Sequence, residues 1–446
     1  MEVLKISEIK NNGRFDATTF VSSNAFLVRF TKKLGSFKIG DTSLIHKVRN
    51  RDSRVYVKDK TRGLMYLSNT DMQKSNFDNA SYMSKQFLSN IAAQKLKCGD
   101  IIVSAVGTIG QVAFVNKLFE DAVISGNILR FTPNKLSGYV YAYLQSKYGQ
   151  ANLINIASGT VQDFITPPKL SDFDIPNLPD PIQKEIHNLI VEASNLRVKA
   201  NKLLKEAIGN FEKIIGESKI HLGFQTGVIS SKTINSFHQR LDSQYQLLWE
   251  TLEKEEKKGL KYDKINAYAK AIFVGGRGKR MYIENGVPFL SSSQMMLFNP
   301  KRSCKKVSKR TPGLSSMLVN KKDILISRSG TVGNSVLVGE DLTNTAISEH
   351  ALRLVIDSSK ISPNYVFCFL KTKYGMKSME ASSFGSVIIT LNEDLIGNIN
   401  IPILSESEQN EINEKVESYL NKMDESTLKE NQAIDLIEKE IESWQK

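Results

Sequence analysis

Asp100-Ile-Ile-Val-Ser-Ala-Val-Gly-Thr-Ile-Gly110 returns as Asp323-Ile-Leu-Ile-Ser-Arg-Ser-Gly-Thr-Val-Gly333, an offset of 223 residues. Tyr66-Leu-Ser-Asn-Thr-Asp-Met72 returns as Phe289-Leu-Ser-Ser-Ser-Gln-Met295 at the same offset, as does Ile124-Ser125 with Leu129-Arg130 at Ile347-Ser348 with Leu352-Arg353. Further on the offset becomes 226. Lys147-Tyr-Gly149 matches Lys373-Tyr-Gly375, Gly159-Thr-Val161 matches Gly385-Ser-Val387, Ile175-Pro176 matches Ile401-Pro402, and Gln183-Lys-Glu-Ile186 matches Gln409-Asn-Glu-Ile412. Arg14-Phe-Asp-Ala17 and Arg240-Leu-Asp-Ser243 open the two copies, again 226 apart. Chance does not hold two registers over such a length, so the chain is a tandem duplication.

Each copy reads in two parts. The first carries short Val- and Ile-rich runs broken by Gly, Pro, Asn and Ser, the pattern of strands and turns with a few helices. Asp100 to Val103 and Asp323 to Ile326 are strand candidates ending in a Gly-Thr-x-Gly turn. Those glycines permit tight positive-φ geometry and require no ligand. The second part is a long helix. After Pro181, apolar or small residues fall at Ile182, Ile186, Leu189, Ala193, Leu196, Ala200, Leu203 and Ala207, a 4-3-4-3 alternation that predicts a coiled-coil seam. Ile412, Val416, Tyr419 and Met423, then Ile434, Ile437, Ile441 and Trp444, continue the theme in the second copy. An isolated helix would expose its seam, and its nearest partner is the other copy's helix. Residues 217–236, with no strong period, read as a linker.

The 446 residues carry 60 Lys and Arg against 47 Asp and Glu, a net charge of +13 that points to a polyanionic partner. Residues 406–446 hold twelve acids and five lysines, a local −7 that leaves +20 on the 405 residues before them. A basic body with an acidic helical tail fits a body that touches phosphate and a tail that touches protein. Three scattered cysteines and five unpaired histidines form no disulfide framework or zinc pattern. Met1-Glu-Val-Leu-Lys5 is not a signal peptide and Ile101–Val115 is too short and interrupted to span a bilayer, so the expected compartment is the cytoplasm. Gly275-Gly-Arg-Gly-Lys-Arg280 lacks phosphate-loop spacing, Thr166-Pro-Pro-Lys169 is not an amino-methyltransferase segment, and no glycine-rich strand-turn-helix would hold S-adenosylmethionine. No catalytic site, cofactor or metal is expected on this chain.

Two strand-rich heads alternating with two long helices, opened by R-[FL]-D-[AS], carrying D-I-x-[VI]-S-x-x-G-T-[IV]-G and passing through I-P…Q-x-E-I into each helix, resembles the specificity (S) subunits of type I restriction-modification systems, over essentially the whole chain. The chain departs from the family's P-P-x-x-E-Q helix opening at Pro181-Ile182-Gln183 and Ser407-Glu408-Gln409. The resemblance implies an α+β chain built as a tandem duplication of a mixed strand-rich target-recognition domain followed by a long helix. The two helices form an antiparallel coiled-coil spacer. The boundaries expected are 1–180 and 237–405 for the recognition domains, 181–216 and 406–446 for the spacer helices, and 217–236 for the linker. It also implies a non-catalytic chain that reads a bipartite, asymmetric site on double-stranded DNA and docks two methyltransferase subunits, which bring S-adenosylmethionine. An ATP-dependent restriction subunit can join them. Ile186, Leu189, Leu196, Leu203, Ile412, Val416, Met423 and Ile437 are the candidate interface residues.

The candidate phosphate contacts are the basic clusters in irregular segments: Arg49, Arg51, Arg54, Lys58, Lys60 and Arg62 in the first copy, and Arg277, Lys279, Arg280, Lys301, Arg302, Lys305, Lys306, Lys309 and Arg310 in the second. Candidate base readers are polar positions that differ between the copies, because heads reading different half-sites should diverge there. Asn69, Thr70 and Asp71 stand against Ser292, Ser293 and Gln294, and Ala105 and Val106 against Arg328 and Ser329. Two other readings fit the same sequence: a stand-alone bivalent DNA-binding regulator, and a coiled-coil interaction scaffold with incidental charge.

Overall fold

Short β-branched runs form short strands here, and the two copies arrange them identically. The computed structural model describes residues 27, 35–47, 54–77, 80–88, 91–134, 136–157, 163–216, 243–329, 332–385 and 389–444. Arg49, Arg51, the R-[FL]-D segments before Ser243, the 217–236 linker and Gly159-Thr-Val161 lie outside the described residues. The chain divides into two units, Met1–Val198 with Glu425–Lys446, and Lys199–Asp424.

In the first unit the strands are β1 (Ser36–Lys38), β2 (Ile45–Lys47), β3 (Gly63–Leu67), β4 (Ser81–Ser84), β5 (Ile101–Ser104), β6 (Val112–Phe114), β7 (Val123–Ile124), β8 (Ile128–Phe131) and β9 (Asp174–Pro176). They pair as β1-β9, β2-β8-β5-β6 and β4-β3-β7. In the second they are β10 (Lys261–Lys264), β11 (Ala269–Val274), β12 (Tyr282–Leu290), β13 (Lys305–Val307), β14 (Ile324–Ser327), β15 (Ser335–Leu337), β16 (Ala346–Ile347), β17 (Ala351–Ile356) and β18 (Asn400–Ile403). Their order is β10-β18, β11-β17-β14-β15 and β13-β12-β16. Adding nine to each strand number of the first unit reproduces the second, including the parallel pairings β3–β7 and β12–β16. The repeated D-I-x-[VI]-S run supplies the buried strands β5 and β14.

Two short helices follow the sheets in each unit, Ser137–Gln145 and Lys147–Ile156, then Pro363–Lys371 and Lys373–Ala381. Tyr139 donates its hydroxyl to the Pro176 carbonyl at 2.6 Å, and Tyr365 donates to Pro402 at 2.7 Å, tying each helix pair to its small sheet.

The long helices are Asp180–Ile215 and Glu406–Ser443, each roughly 55 Å long at 1.5 Å per residue. Each unit takes part of both. In the first, Ile186 and Ile190 share a core with Ala433, Ile434, Ile437 and Ile441, and Glu192 pairs with Lys429 at 3.0 Å. In the second, Leu204, Ala207, Phe211 and Ile215 share a core with Ile412, Val416 and Leu420. There Glu206 pairs with Lys415 at 3.7 Å, and Asn210 donates to Glu411 at 2.6 Å. Rising numbers on one helix meet falling numbers on the other, so they run antiparallel.

Burial differs from the expected seam at three of its positions. Ile186, Leu196, Ile412, Val416 and Ile437 are buried, whereas Leu189, Leu203 and Met423 are only partly covered. Ile190 and Leu204 take the buried places beside Leu189 and Leu203. A helix that packs on sheet-bearing elements as well as on another helix buries a wider face than a two-stranded seam. Gly209, inside the first long helix, has nothing within 4 Å of the position a Cβ would take. Gly209→Ala should therefore raise stability by about 1 kcal/mol through backbone entropy alone. A urea midpoint no higher than that of the parent would contradict this.

Candidate nucleic-acid interface

The residues expected to read bases fall at the end of β3 and its counterpart β12. Ser68 opens a turn that Asp71 closes: the Asp71 carboxylate accepts from the Ser68 N–H at 2.9 Å, the Ser68 hydroxyl at 2.5 Å and Lys74 Nζ at 2.7 Å. Burial pushes this carboxyl up, but the Lys74 and Ser68 hydrogen bonds outweigh it and hold the group below its ordinary value. In the second unit Gln294 Oε1 accepts from the Ser291 N–H at 3.0 Å and its hydroxyl at 3.1 Å, closing the same turn with an amide. Asp71 and Gln294 differ in chemistry but are spent on the same internal geometry. Asn69 is also committed, donating to Ser104 Oγ at 2.9 Å and to the Val106 carbonyl at 2.6 Å. Thr70 and Ser293 are exposed and share hydroxyl contacts with Ser68 and Ser291; Ser292 is half-buried beside them.

The repeated segments also supply one buried ion pair in each unit. Arg130 Nη1 is 3.8 Å from Asp100, and Arg353 Nε is 3.6 Å from Asp323. Both aspartates also close tight turns, accepting from the N–H of Lys97 at 2.8 Å and of Asn320 at 2.9 Å. Arg353 donates to the Met317 carbonyl at 2.9 Å and lies 4.9 Å from the Phe273 ring centroid. Burial pushes the Asp323 carboxyl up, against the opposing pull of the Asn320 N–H and Arg353, and lowers Arg353. These groups fix the strands; they face no solvent. The glycines of the Gly-Thr-x-Gly turns serve the backbone, with φ of 88° at Gly107, 91° at Gly110 and 86° at Gly333.

Arg328 follows β14. Its Nε donates to the Leu391 carbonyl at 2.9 Å, while Ser329 bridges to Thr390. The side chain is half-buried and stitched to the segment before Asn392, which positions its guanidinium instead of leaving it to swing.

The basic clusters sort by what holds them. Arg280 is engaged, paired with Glu349 and 4.8 Å over the Phe289 ring. Lys306 is half-buried on β13, and Lys301 pairs with Asp341 at 3.2 Å. Arg54, Lys58, Lys60 and Arg62 are exposed in the first unit, as are Arg277, Lys279, Lys305, Lys309 and Arg310 in the second. Aromatic side chains interleave with them. Lys60 sits 5.2 Å over the Tyr82 ring and Lys305 5.1 Å over Tyr282. Exposed cations beside rings that are half-buried (Tyr82) or exposed (Tyr282) suit a backbone that offers phosphates and base edges together. Of these aromatic partners only Tyr282 stands beside a basic run in sequence, next to Arg277-Gly-Lys-Arg280; Tyr82 reaches Lys60 through the pairing of β4 with β3.

The sequence profile described as "Type I restriction modification DNA specificity domain" matches residues 34–209 and 277–436. No curated protein matches the chain. Among solved structures, the "Type-I restriction-modification system S subunit from M. genitalium" is similar at 14% identity, covering 91% of this chain and 94% of that one, with a TM-score of 0.35. The "HsdS subunit from Thermoanaerobacter tengcongensis" is similar at 13% identity over 91% and 96%, with a TM-score of 0.29.

Proposed function

Since the chain belongs to the family of type I restriction modification DNA specificity domains, matched in two regions that span most of its length, we propose that it reads a bipartite, asymmetric DNA site and docks methyltransferase subunits that modify it. The DNA recognition is the family's; the split site and the docking are this reading's addition. One observation carries them. A complete strand arrangement occurs twice in one chain, and the exposed cations on the two copies sit in loops of unlike sequence. A homodimer would read a palindrome, whereas two unlike copies in one chain read two unlike half-sites.

In this reading the chain contributes affinity and selection and no bond-making group. Exposed Lys and Arg neutralise phosphates, a contribution that weakens with salt and carries no sequence information. Two methyltransferase subunits dock on the long helices and bring S-adenosylmethionine for adenine methylation on each strand. An ATP-dependent restriction subunit completes the complex where cleavage is required. Among the described residues no helix is long and apolar enough to cross a membrane, and the proposed compartment is the cytoplasm.

The test is a base-modification map of a methylation-free host carrying the cognate methyltransferase subunit, with and without this chain. A split motif should become methylated only when the chain is present. An unchanged map, with both proteins soluble and failing to associate, would overturn the reading and leave the stand-alone bivalent regulator.

A further inference from the structure

The two copies differ in sequence at a place where their backbones do the same unusual thing. In the first unit Met83 of β4 faces both Leu64 and Tyr56. In the second, Val307 of β13 faces both Val287 and Tyr282. The two partners lie on opposite edges of the strand. Val57 and Val55 bond to Tyr82 and Ser84, and Met281 to Ser308, while Met83 and Val307 turn their own backbone groups to the other edge. The chain between the partners is therefore extruded from the plane of the sheet as it crosses from edge to edge. The extruded segments are 57–63 and 283–286.

Each segment closes on a glycine that the geometry requires. A Cβ on Gly63 would lie 2.7 Å from Val57 Cγ2 and 2.8 Å from Tyr82 Cβ, and one on Gly286 would lie 2.3 Å from the Val307 carbonyl oxygen. The two glycines are related by the 223-residue offset, Gly63 opening β3 and Gly286 lying within β12. The scaffold is therefore shared, while the residues displayed on it are not. The first loop offers Lys58-Asp59-Lys60-Thr61-Arg62, and the second Ile283-Glu284-Asn285, every one exposed.

This is the arrangement a pair of base readers needs: a common stem, unlike tips, and cations nearby to hold the phosphates. The stems are stiff. Asp59 accepts from the Thr61 N–H at 2.9 Å and its hydroxyl at 2.7 Å. Tyr282 lies between Lys305, 5.1 Å over its ring, and Phe289, 6.2 Å away edge-on. At the tips the side chains are available. The Arg62 side chain is 81% exposed and meets Asp59 only through Nε at 3.3 Å, which leaves both terminal amino groups for guanine O6 and N7. Glu284 and Asn285 have no side-chain partner among the described residues; their chemistry suits cytosine N4 and the N6/N7 edge of adenine. Arg277, Lys279 and Lys305, exposed in the same unit, offset the repulsion that Glu284 alone would meet from a phosphate backbone. By contrast, Asp71 and Gln294, which differ between the turns at Ser68–Asp71 and Ser291–Gln294, spend their acceptors on closing those turns.

We infer that the extruded loops 57–63 and 283–286 are the specificity-determining elements of the two units, with Arg62 reading one half-site and Glu284 with Asn285 reading the other. The inference rests on the DNA-specificity reading above and adds the residues that carry it. Its test is the same modification map on the assembled methyltransferase complex, run with the parent chain, Arg62→Ala, and the double variant Glu284→Ala/Asn285→Ala. Arg62→Ala should relax one half-site, reducing preference for the cognate base about tenfold. The double variant should relax the other half-site, and in both cases the spacer and the untouched half-site stay as they were. Arg62→Met and Glu284→Gln serve if an alanine variant fails to assemble, since each keeps the side-chain bulk and loses the base-specific pattern; they should relax the same positions. A motif unchanged at every position, or both half-sites relaxed together by one variant, would overturn the inference while the parent's split motif stands. A parent chain that directs no methylation would bring down the specificity reading, and this inference with it.

Discussion

Arg197→Met should destabilise the first unit by about 3–5 kcal/mol, the usual penalty for leaving one member of a buried ion pair uncompensated. Arg197 Nη2 donates to Glu430 at 2.6 Å, with the two side chains 9% and 2% exposed. The Tyr141 hydroxyl donates to the same carboxylate. Removing the guanidinium leaves the buried Glu430 carboxylate without its countercharge. The second unit shows what these positions look like without charge. At the 226-residue offset, Tyr141, Arg197 and Glu430 correspond to Phe367, Met423 and Leu204, of which Phe367 and Leu204 lie in the second unit's core. Installing that apolar set, Tyr141→Phe with Arg197→Met and Glu430→Leu, should restore stability to within about 1.5 kcal/mol of the parent. Urea unfolding of the full-length chain measures both. A single variant within about 0.5 kcal/mol of the parent would mean that the pair is solvated and the penalty figure does not apply.

The asymmetry between the two triads has a physical use. Duplicated helices are prone to pair in the wrong combination, because each half resembles the other. A charged pair in one unit and an apolar set in the other make the combinations unequal, since a swapped half would bury Arg197 or Glu430 against methionine or leucine. The triple variant should then lose pairing fidelity, readable as a rise in dimers and higher oligomers, even where its stability recovers.

The duplication was legible because strands and turns repeat in type and order. Asp100 to Val103 and Asp323 to Ile326 locate β5 and β14 to within a residue of Ile101–Ser104 and Ile324–Ser327. Side-chain commitments were harder to read. Asp71 and Gln294 differ, and difference looked like selectivity; the Ser-x-x-Asp and Ser-x-x-Gln spacing was the available sign that both close a turn. The helix stripe was read as a narrow seam because periodicity reports one face and not how many neighbours share it. Arg197 and Glu430 lie 233 positions apart and each looks like part of a solvated face. Only the antiparallel pairing of the helices brings them together. The extruded loops were half visible: Lys58, Lys60 and Arg62 stood out as charge, whereas Glu284 and Asn285 did not, because an acid near DNA runs against electrostatic expectation.

Gly149→Ala and Gly375→Ala should each cost about 3 kcal/mol, the upper end of overpacking penalties, because the atoms in the way are backbone and cannot turn aside. An added Cβ at Gly149 would lie 2.0 Å from the Tyr143 carbonyl oxygen and 2.7 Å from Leu144 Cα; at Gly375 it would lie 2.2 Å from the Phe369 carbonyl oxygen and 2.9 Å from Leu370 Cα. Both glycines belong to the repeated Lys-Tyr-Gly, in the first turn of the second short helix of each unit. Ser146 and Thr372 cap that turn by accepting the Gly149 N–H at 3.2 Å and the Gly375 N–H at 3.0 Å. One residue earlier, the Lys147 N–H donates to Glu438 at 2.8 Å and the Lys373 N–H donates to Glu212, also at 2.8 Å. Each carboxylate lies on the long helix of the other copy, so this turn joins a copy's strand-bearing part to its sister's helix. To admit a methyl group the turn must move away from its cap and from that carboxylate, losing both favourable N-terminal contacts at once. The two substitutions should therefore behave alike in thermal melting and in exposing the adjoining long helix to limited proteolysis. A loss confined to one of them, with the other within about 0.5 kcal/mol of the parent, would show that the two joints are not mechanically equivalent despite their shared geometry.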